Sequence, residues 1–318
     1  MGESGSNMQI GFIGLGKMGT RIVEKLVKDK HTVVGWNRSA EVTERFRLHL
    51  QDGGLGDSFV APDDIKSLIK SLQAPRVIWM MLPAGEATQS MMDEVSTYVE
   101  KGDIVIDGGN AFYKDTQRRF ENFKEKGIRY LGIGVSGGVK AGENGYPLMI
   151  GGDKSAFDEI KPLLETLIVP GGGYEYFGEG GAGHFVKMVH NGIEYGMMQA
   201  IGEGFGVLEK APYEIDLVRV SQLWQKSTIV TSFLMECAKD ALVKDPKLME
   251  LDGVIDATGE AEWTVQQAKE ENVPAENIEQ SLDFRRRSKT DVTVSESFAA
   301  RMVAALRQEF GGHNVKKK

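Results

Sequence analysis

Met8-Gln-Ile-Gly-Phe-Ile-Gly14-Leu-Gly16-Lys-Met-Gly19, followed by Ile22, Val23, Leu26 and Val27, decides how the first half of this chain folds. A short apolar run makes a buried strand, three glycines at GxGxxG spacing make the turn, and the apolar residues beyond recur at helical intervals. Each glycine has a task. Gly14 makes the tight turn, Gly16 lets a pyrophosphate approach the backbone, and Gly19 lets helix and strand pack closely. The helix N-terminus then presents its N–H groups to the anion. Alone the spacing is weak evidence and marks a mere tight turn; between a strand and a helix of one βαβ unit it is strong. Gly14, Leu15, Gly16, Lys17, Met18 and Gly19 are therefore the first candidate cofactor loop.

Working outward, His31-Thr-Val-Val-Gly-Trp36 forms the second strand, and its end lies about twenty residues past the glycines, where NAD sites place an acid on the ribose hydroxyl. Here the residues are Asn37-Arg38-Ser39 instead. Arg38 neutralises and stacks on the adenosine side, while Asn37 and Ser39 donate hydrogen bonds, which suits a 2′-phosphate and favours NADP over NAD. The competing reading is a surface arginine beside a serine that only caps the next helix. Further strands are predicted at Phe59–Ala61, Arg76–Leu82, Asp103–Asp107, Ile128–Val135, Pro147–Gly152 and Tyr174–Phe177, with helical stretches between most of them. Such alternation predicts a doubly wound α/β sheet of Rossmann type, mostly parallel. Ligands bind such sheets off the carboxyl ends of the strands, where Leu82-Pro83-Ala84, Gly108-Gly109-Asn110 and Ser136-Gly137-Gly138 fall. Singly each is an ordinary turn; together they mark a crevice.

Beyond Gly178 the strand signals fade, and helical periodicity runs through Leu217–Leu242 and Ala261–Phe310. The expected organisation is a flexible arm or tag at 1–7, a dinucleotide-binding domain at 8–179 and an all-helical domain at 180–318. The second domain opens on Gly183-His-Phe-Val-Lys187-Met-Val-His190-Asn191-Gly-Ile-Glu194-Tyr195. Lys187, His190, Asn191 and Glu194 recur at three, four and seven positions, so one helix stacks them on one face. For an arbitrary lysine and glutamate the ordinary reading is a solvated surface pair. This segment, however, is loaded with glycines, each of which costs up to about 1 kcal/mol inside a helix, so tertiary contact must hold it. A lysine and a carboxylate facing a cleft are equipped for proton chemistry. Phe284-Arg-Arg-Arg287 and Arg307-Gln-Glu-Phe-Gly-Gly-His313 are candidate anion sites, though standing alone the first reads better as a charged surface helix.

With 318 residues, 41% of them apolar and 26% charged, the chain has length for two cores. A net charge of -8 argues against general nucleic-acid binding. No apolar run approaches the ~20 residues of a membrane span, and no signal-peptide pattern is present, so neither membrane nor export is expected. The single Cys237 excludes an intrachain disulfide framework and a thiolate metal site, which fits a reducing cytoplasm and no metal.

Taken together, GLGKMG at 14–19, NRS at 37–39, IDGGN at 106–110, VSGGVKAGENGYPLMIGG at 135–152, KMVHNGIEY at 187–195 and FGGH at 310–313 resemble the short form of the decarboxylating 6-phosphogluconate dehydrogenase family, within the β-hydroxyacid dehydrogenase superfamily. The likeness runs from Met8 to His313; GLGKMG and SGG are shared across the superfamily, whereas KMVHNGIEY with FGGH is narrower. The resemblance implies Lys187 as the general base that takes the substrate hydroxyl proton, and Glu194 as the general acid that protonates carbon after carbon dioxide leaves. It implies Asn110, Ser136, Gly137, Gly138, His190 and Asn191 around the sugar acid. Tyr195 and Arg285 would hold the phosphate end, with Arg307 and His313 reaching it from a partner subunit, in a homodimer or homotetramer built by the helical domain. Three departures stand out: Gly259-Glu-Ala-Glu262 carries acids where the family usually has basic or glycine residues, Asp283-Phe-Arg-Arg-Arg287 replaces a more apolar pattern, and Asn37-Arg38-Ser39 differs from the acidic variant many short members carry. Acids near a phosphate weaken its binding, and the run leaves open which arginine serves. A β-hydroxyacid dehydrogenase or reductase of a small unphosphorylated acid, or a non-catalytic NADPH-binding sensor, would share the fold.

Overall fold

The computed structural model describes residues 7–312; residues 1–6 of the expected arm, and His313, lie outside the described residues. The chain divides into two compact units, one running to Lys187 and one from Met188. That division falls eight residues beyond the Glu179-Gly180 boundary expected from composition, inside one long helix.

The first unit is an eight-stranded sheet. In chain order it comprises β1 (Gln9–Ile13), α1 (Lys17–Lys28), β2 (Thr32–Trp36), α2 (Ala40–Asp52), β3 (Phe59–Val60), α3 (Ile65–Lys70), β4 (Val77–Met80), α4 (Glu86–Val95), β5 (Ile104–Asp107), α5 (Tyr113–Glu125), β6 (Arg129–Val135), α6 (Ala141–Asn144), β7 (Pro147–Gly152), α7 (Lys154–Glu159), α8 (Lys161–Ile168) and β8 (Gly173–Gly178). The strand order is β3-β2-β1-β4-β5-β6-β7-β8. All pairings are parallel except β6 with β7. The predicted Rossmann class therefore holds, and each of the eight predicted strands is present.

The sequence explains the layering. β4 and β5 are buried at every position, as strands covered by helices on both faces must be. α1 buries Ile22, Val23, Leu26 and Val27 against the sheet, each apolar side chain contributing about 2 kcal/mol. Consecutive strands run outward from β1 to β3 and then restart at β4, so the order reverses between β1 and β4. That switch point is where the fold leaves a crevice.

The second unit is helical, as expected. It takes most of α9 (Ala182–Glu209), then α10 (Leu217–Trp224), α11 (Phe233–Lys244), α12 (Glu260–Glu270), α13 (Glu276–Arg287), α14 (Val292–Ser295) and α15 (Phe298–Gly311). Its core gathers Phe205, Leu234, Met235, Cys237, Leu242, Ile255, Met302, Val303 and Leu306. Side chains of Asp216, Ser232, Asp291 and Ser297 accept N–H bonds from the first turns of α10, α11, α14 and α15, which fixes where those helices start. No described helix is long and apolar enough to cross a membrane.

Candidate active site

The glycine turn has the shape its sequence implies. Gly14 has φ +103, and a Cβ there would lie 2.4 Å from Met81 O; a Cβ on Gly19 would lie 2.0 Å from Gly14 O. A Cβ on Gly16, by contrast, meets nothing within 4 Å. Two glycines are thus demanded by the protein's own backbone, while the third opens onto space that a phosphate can enter. α1 starts there with neither a side-chain cap nor an acid in its first turn, so its N-terminal dipole end favours an anion. These features fit a dinucleotide pyrophosphate.

At the end of β2 the three candidate residues separate. Asn37 accepts from Leu15 N at 3.1 Å through Oδ1 and donates to Ser39 O at 3.4 Å through Nδ2. It braces the glycine turn, a structural job beyond the donor role toward the cofactor expected from sequence. Arg38 and Ser39 are exposed, and Ser39 precedes α2 without making the capping bond. Both therefore remain open to a ribose phosphate.

The neighbouring strand ends form one ledge. Gly14 N donates to Trp36 O at 2.9 Å, Met81 N to Ile13 O at 2.8 Å and Gly108 N to Met80 O at 2.8 Å. A Cβ on Gly109 would lie 2.3 Å from Leu82 O, so the Leu82-Pro83-Ala84 and Gly108-Gly109-Asn110 loops touch, with Pro83, Ala84 and Asn110 exposed. Beneath them is a network that sequence reading passed over. Asp107, at the end of β5, pairs with buried Arg119 at 3.0 Å, accepts from Tyr130 OH at 3.3 Å and accepts from Gly109 N at 3.3 Å. The IDGGN motif held the signal, since an acid closing an otherwise apolar strand requires a partner. The Tyr130 phenol is pushed well above its ordinary range, first by burial and then by Asp107. After β6, Gly137 and Gly138 both take positive φ (+91 and +56), and Ser136 N donates to Pro147 O at 2.9 Å.

Lys187 belongs to this unit and is only 6% exposed. Its stem lies on β6, where a Cβ on Gly134 would come 2.3 Å from Lys187 Cβ. One turn earlier, His184 lies on Gly132 and its Nδ1 is 2.7 Å from Thr116 Oγ1. Burial, its largest cause, lowers the His184 pKa. Gly132 and Gly134 thus form a seat that sets the start of α9 directly on the strand.

In the helical unit, α9 continues with His190, Asn191, Glu194 and Tyr195. His190 Nδ1 is 3.0 Å from Asn191 Oδ1 and 3.9 Å from Glu194 Oε2. Asn191 is buried and Glu194 partly so. Of the arginine run, only Arg285 is buried, at 2% exposure; Arg286 pairs with Glu262 at 2.7 Å and Arg287 with Asp283 at 2.8 Å on the surface. The Arg285 guanidinium lies 3.2 Å from the centroid of the Tyr195 ring, a contact worth about 2 kcal/mol when desolvated. Burial, aided by the charge of Arg307, pushes its pKa down to about 10, against the opposing pull of Tyr195, Glu194 and Glu260. Arg307 is itself buried and shifted downward, chiefly by desolvation. Ala300 to Arg307 is buried throughout, so α15 is a core helix of the second unit and Arg307 lies within its packing. Two buried guanidiniums with like charge make a site that an anion relieves. Among the described residues no group of His, Cys, Asp and Glu could hold a metal.

A doubly wound sheet with this glycine turn and a buried lysine on the helix that leaves it, followed by a helical unit, is the architecture of a nucleotide-binding dehydrogenase. Residues 9–168 match the NAD binding domain of 6-phosphogluconate dehydrogenase, and residues 183–305 match the 6-phosphogluconate dehydrogenase C-terminal domain. The chain belongs to the 6-phosphogluconate dehydrogenase family. A Bacillus subtilis homologue whose designation as a 6-phosphogluconate dehydrogenase is provisional is 40% identical over 98% of this chain and 100% of its own. The NAD(+)-dependent decarboxylating 6-phosphogluconate dehydrogenase of Haloferax volcanii is 36% identical over 98% of this chain and 99% of its own. The solved Plasmodium falciparum 6-phosphogluconate dehydrogenase, determined apo, with NADP+ and with 6-phosphogluconate, superposes with a TM-score of 0.80 at 34% identity. The match covers 88% of this chain and 62% of that one.

Proposed function

We propose that this chain catalyses the oxidative decarboxylation of 6-phosphogluconate to ribulose 5-phosphate and carbon dioxide, with NADP favoured over NAD. The observation that carries the reading is the buried Arg285 guanidinium stacked on Tyr195, a cationic seat suited to the phosphate of a phosphorylated sugar acid. Bound nicotinamide supplies the hydride acceptor. Lys187 takes the proton of the substrate hydroxyl, and its resulting positive charge draws electrons toward the ketone oxygen as the bond to the carboxylate breaks. Glu194 then delivers a proton to the carbon that lost carbon dioxide. Asn110, Ser136, Gly137, Gly138, His190 and Asn191 hold the carboxylate and hydroxyls. Arg38 and Ser39, exposed beside the glycine turn, support the NADP preference. Residues 8–179 serve the cofactor, and residues 180–318 serve the substrate and self-association. The latter is supported by exposed Ile193 and Met197 of α9, which line a groove of about 540 Å³ with Ile278 and Phe284.

The test follows NADPH and NADH formation from 6-phosphogluconate while trapping carbon dioxide. One carbon dioxide per reduced nucleotide is expected. Lys187→Ala and Glu194→Ala should each lower kcat at least about 100-fold, the low end for a lost acid or base. Turnover without carbon dioxide would point instead to a simple hydroxyacid dehydrogenase.

A further inference from the structure

Hydride and proton leave one CH–OH group of the substrate, so Lys187 and the cofactor loops must keep a fixed separation. A single helix of the first unit is bonded to both. α5 carries Thr116 and Arg119 one turn apart on its buried side, at 0% and 3% exposure. Thr116 Oγ1 is 2.7 Å from His184 Nδ1, and both side chains crowd onto Gly132, where a Cβ would lie 2.6 Å from Thr116 Cγ2 and 2.9 Å from His184 Nδ1. The same helix reaches the start of α9 twice more. Gln117 Oε1 accepts from Gly181 N at 3.0 Å, and the Tyr113 ring meets Phe185 edge-on with centroids 4.9 Å apart. Lys187 lies one turn beyond His184. Arg119 faces the other way, toward the loops. Its Nη1 donates to Asp107 Oδ2 at 3.0 Å, beneath Gly108-Gly109-Asn110, and its Nε donates to Gln89 Oε1 at 3.1 Å on α4. α4 begins directly after Leu82-Pro83-Ala84-Gly85, and Thr88 Oγ1 donates back to Pro83 O at 2.7 Å. One guanidinium thus ties the two loops together.

We infer that Thr116 and Arg119 are positioning residues: through them α5 sets the separation between the Lys187 amine and the two loops that receive the nicotinamide. The inference rests on reading Lys187 as the base. Neither residue touches substrate or cofactor; each acts through a neighbour, Thr116 through His184 and Arg119 through Asp107 and Gln89. The guanidinium suits the task because its donors are fixed in one plane, so bonds made by Nη1 and Nε hold α4 and the end of β5 at a set spacing. A flexible ammonium on the same helix would hold neither. The buried contact between Thr116 and His184 is equally restrictive, since Gly132 leaves no side chain beneath it to take up a shift. A change in either arm moves the base and the hydride acceptor relative to each other without removing a binding group.

The experiment uses the full chain with 6-phosphogluconate and NADP+, and compares Thr116→Val, which keeps the shape and loses the hydroxyl, with Thr116→Ser, which keeps the hydroxyl. A third variant, Gln89→Ala at a half-buried position, cuts the bond from Arg119 to α4 and leaves the buried pair with Asp107 in place. Thr116→Val and Gln89→Ala should each lower kcat about tenfold while KM for substrate and nucleotide moves less than about twofold, the signature of lost alignment rather than lost binding. Thr116→Ser should recover at least about half of the parent kcat. Parent-like kcat in either folded variant, or Thr116→Ser no faster than Thr116→Val, overturns the proposal. If Thr116→Val does not fold, Gln89→Ala decides alone. A parent chain inactive on 6-phosphogluconate would refute the functional reading instead. The anchoring is then read from the circular dichroism of the nicotinamide band of bound NADPH, which Gln89→Ala should alter; an unaltered band overturns it.

Discussion

At the scale of single residues, the site depends on what each side chain is spared from doing for the fold. Asn37 is committed to Leu15 and Ser39, whereas Arg38 is exposed. Arg38→Ala should therefore raise KM for NADP+ at least about tenfold, the worth of one charge-assisted hydrogen bond, with little change for NAD+; initial rates with the two nucleotides check this. The residue types of the lysine, the glutamate and the arginine run were legible in the sequence, because helical spacing alone stacks polar groups. Their burial was not. Arg285, Arg286 and Arg287 are identical letters, and only packing of α13 decides that the first is buried while the others meet Glu262 and Asp283. The burial of Arg307 was equally illegible, because only the packing of α15 decides it.

At the scale of elements, the eight strands were visible because parallel strands covered on both faces are short apolar runs bounded by turns. What periodicity could not show is how closely two elements approach. Gly132 and Gly134, without side chains, are where α9 rests on β6. Gly134→Ala would put a methyl group 2.3 Å from Lys187 Cβ, and neither backbone can yield cheaply. The expected cost is about 1–3 kcal/mol of stability by urea unfolding. kcat should fall about 100-fold as the lysine shifts by a fraction of an ångström or more. The ledge of β1, β4 and β5 ends is likewise held from beneath by Asp107 and Arg119, whose long-range pairing leaves no periodic trace.

At the scale of the whole molecule, stability should depend on pH through its buried imidazoles. His31 and His184 both have pKa values lowered, first by desolvation. The unfolded chain binds protons near pH 6.5 that the folded chain refuses, so stability is complete above that pH and is lost as pH falls below it. Urea midpoints should drop between about pH 7 and 5, and replacing both histidines with glutamine should flatten that slope. The helical character of the second unit was legible in its long 3.6-residue rhythm. The division inside α9 was not, since a helix gives no punctuation where one set of contacts ends and another begins. The seat on β6 has a last consequence. A Cβ on Gly183 would lie 2.5 Å from both Gly132 O and Gly151 N, so main chain meets main chain with no side-chain layer between. Solvent has no path to the amide hydrogens enclosed there, and deuterium should reach this patch only when the entire unit opens.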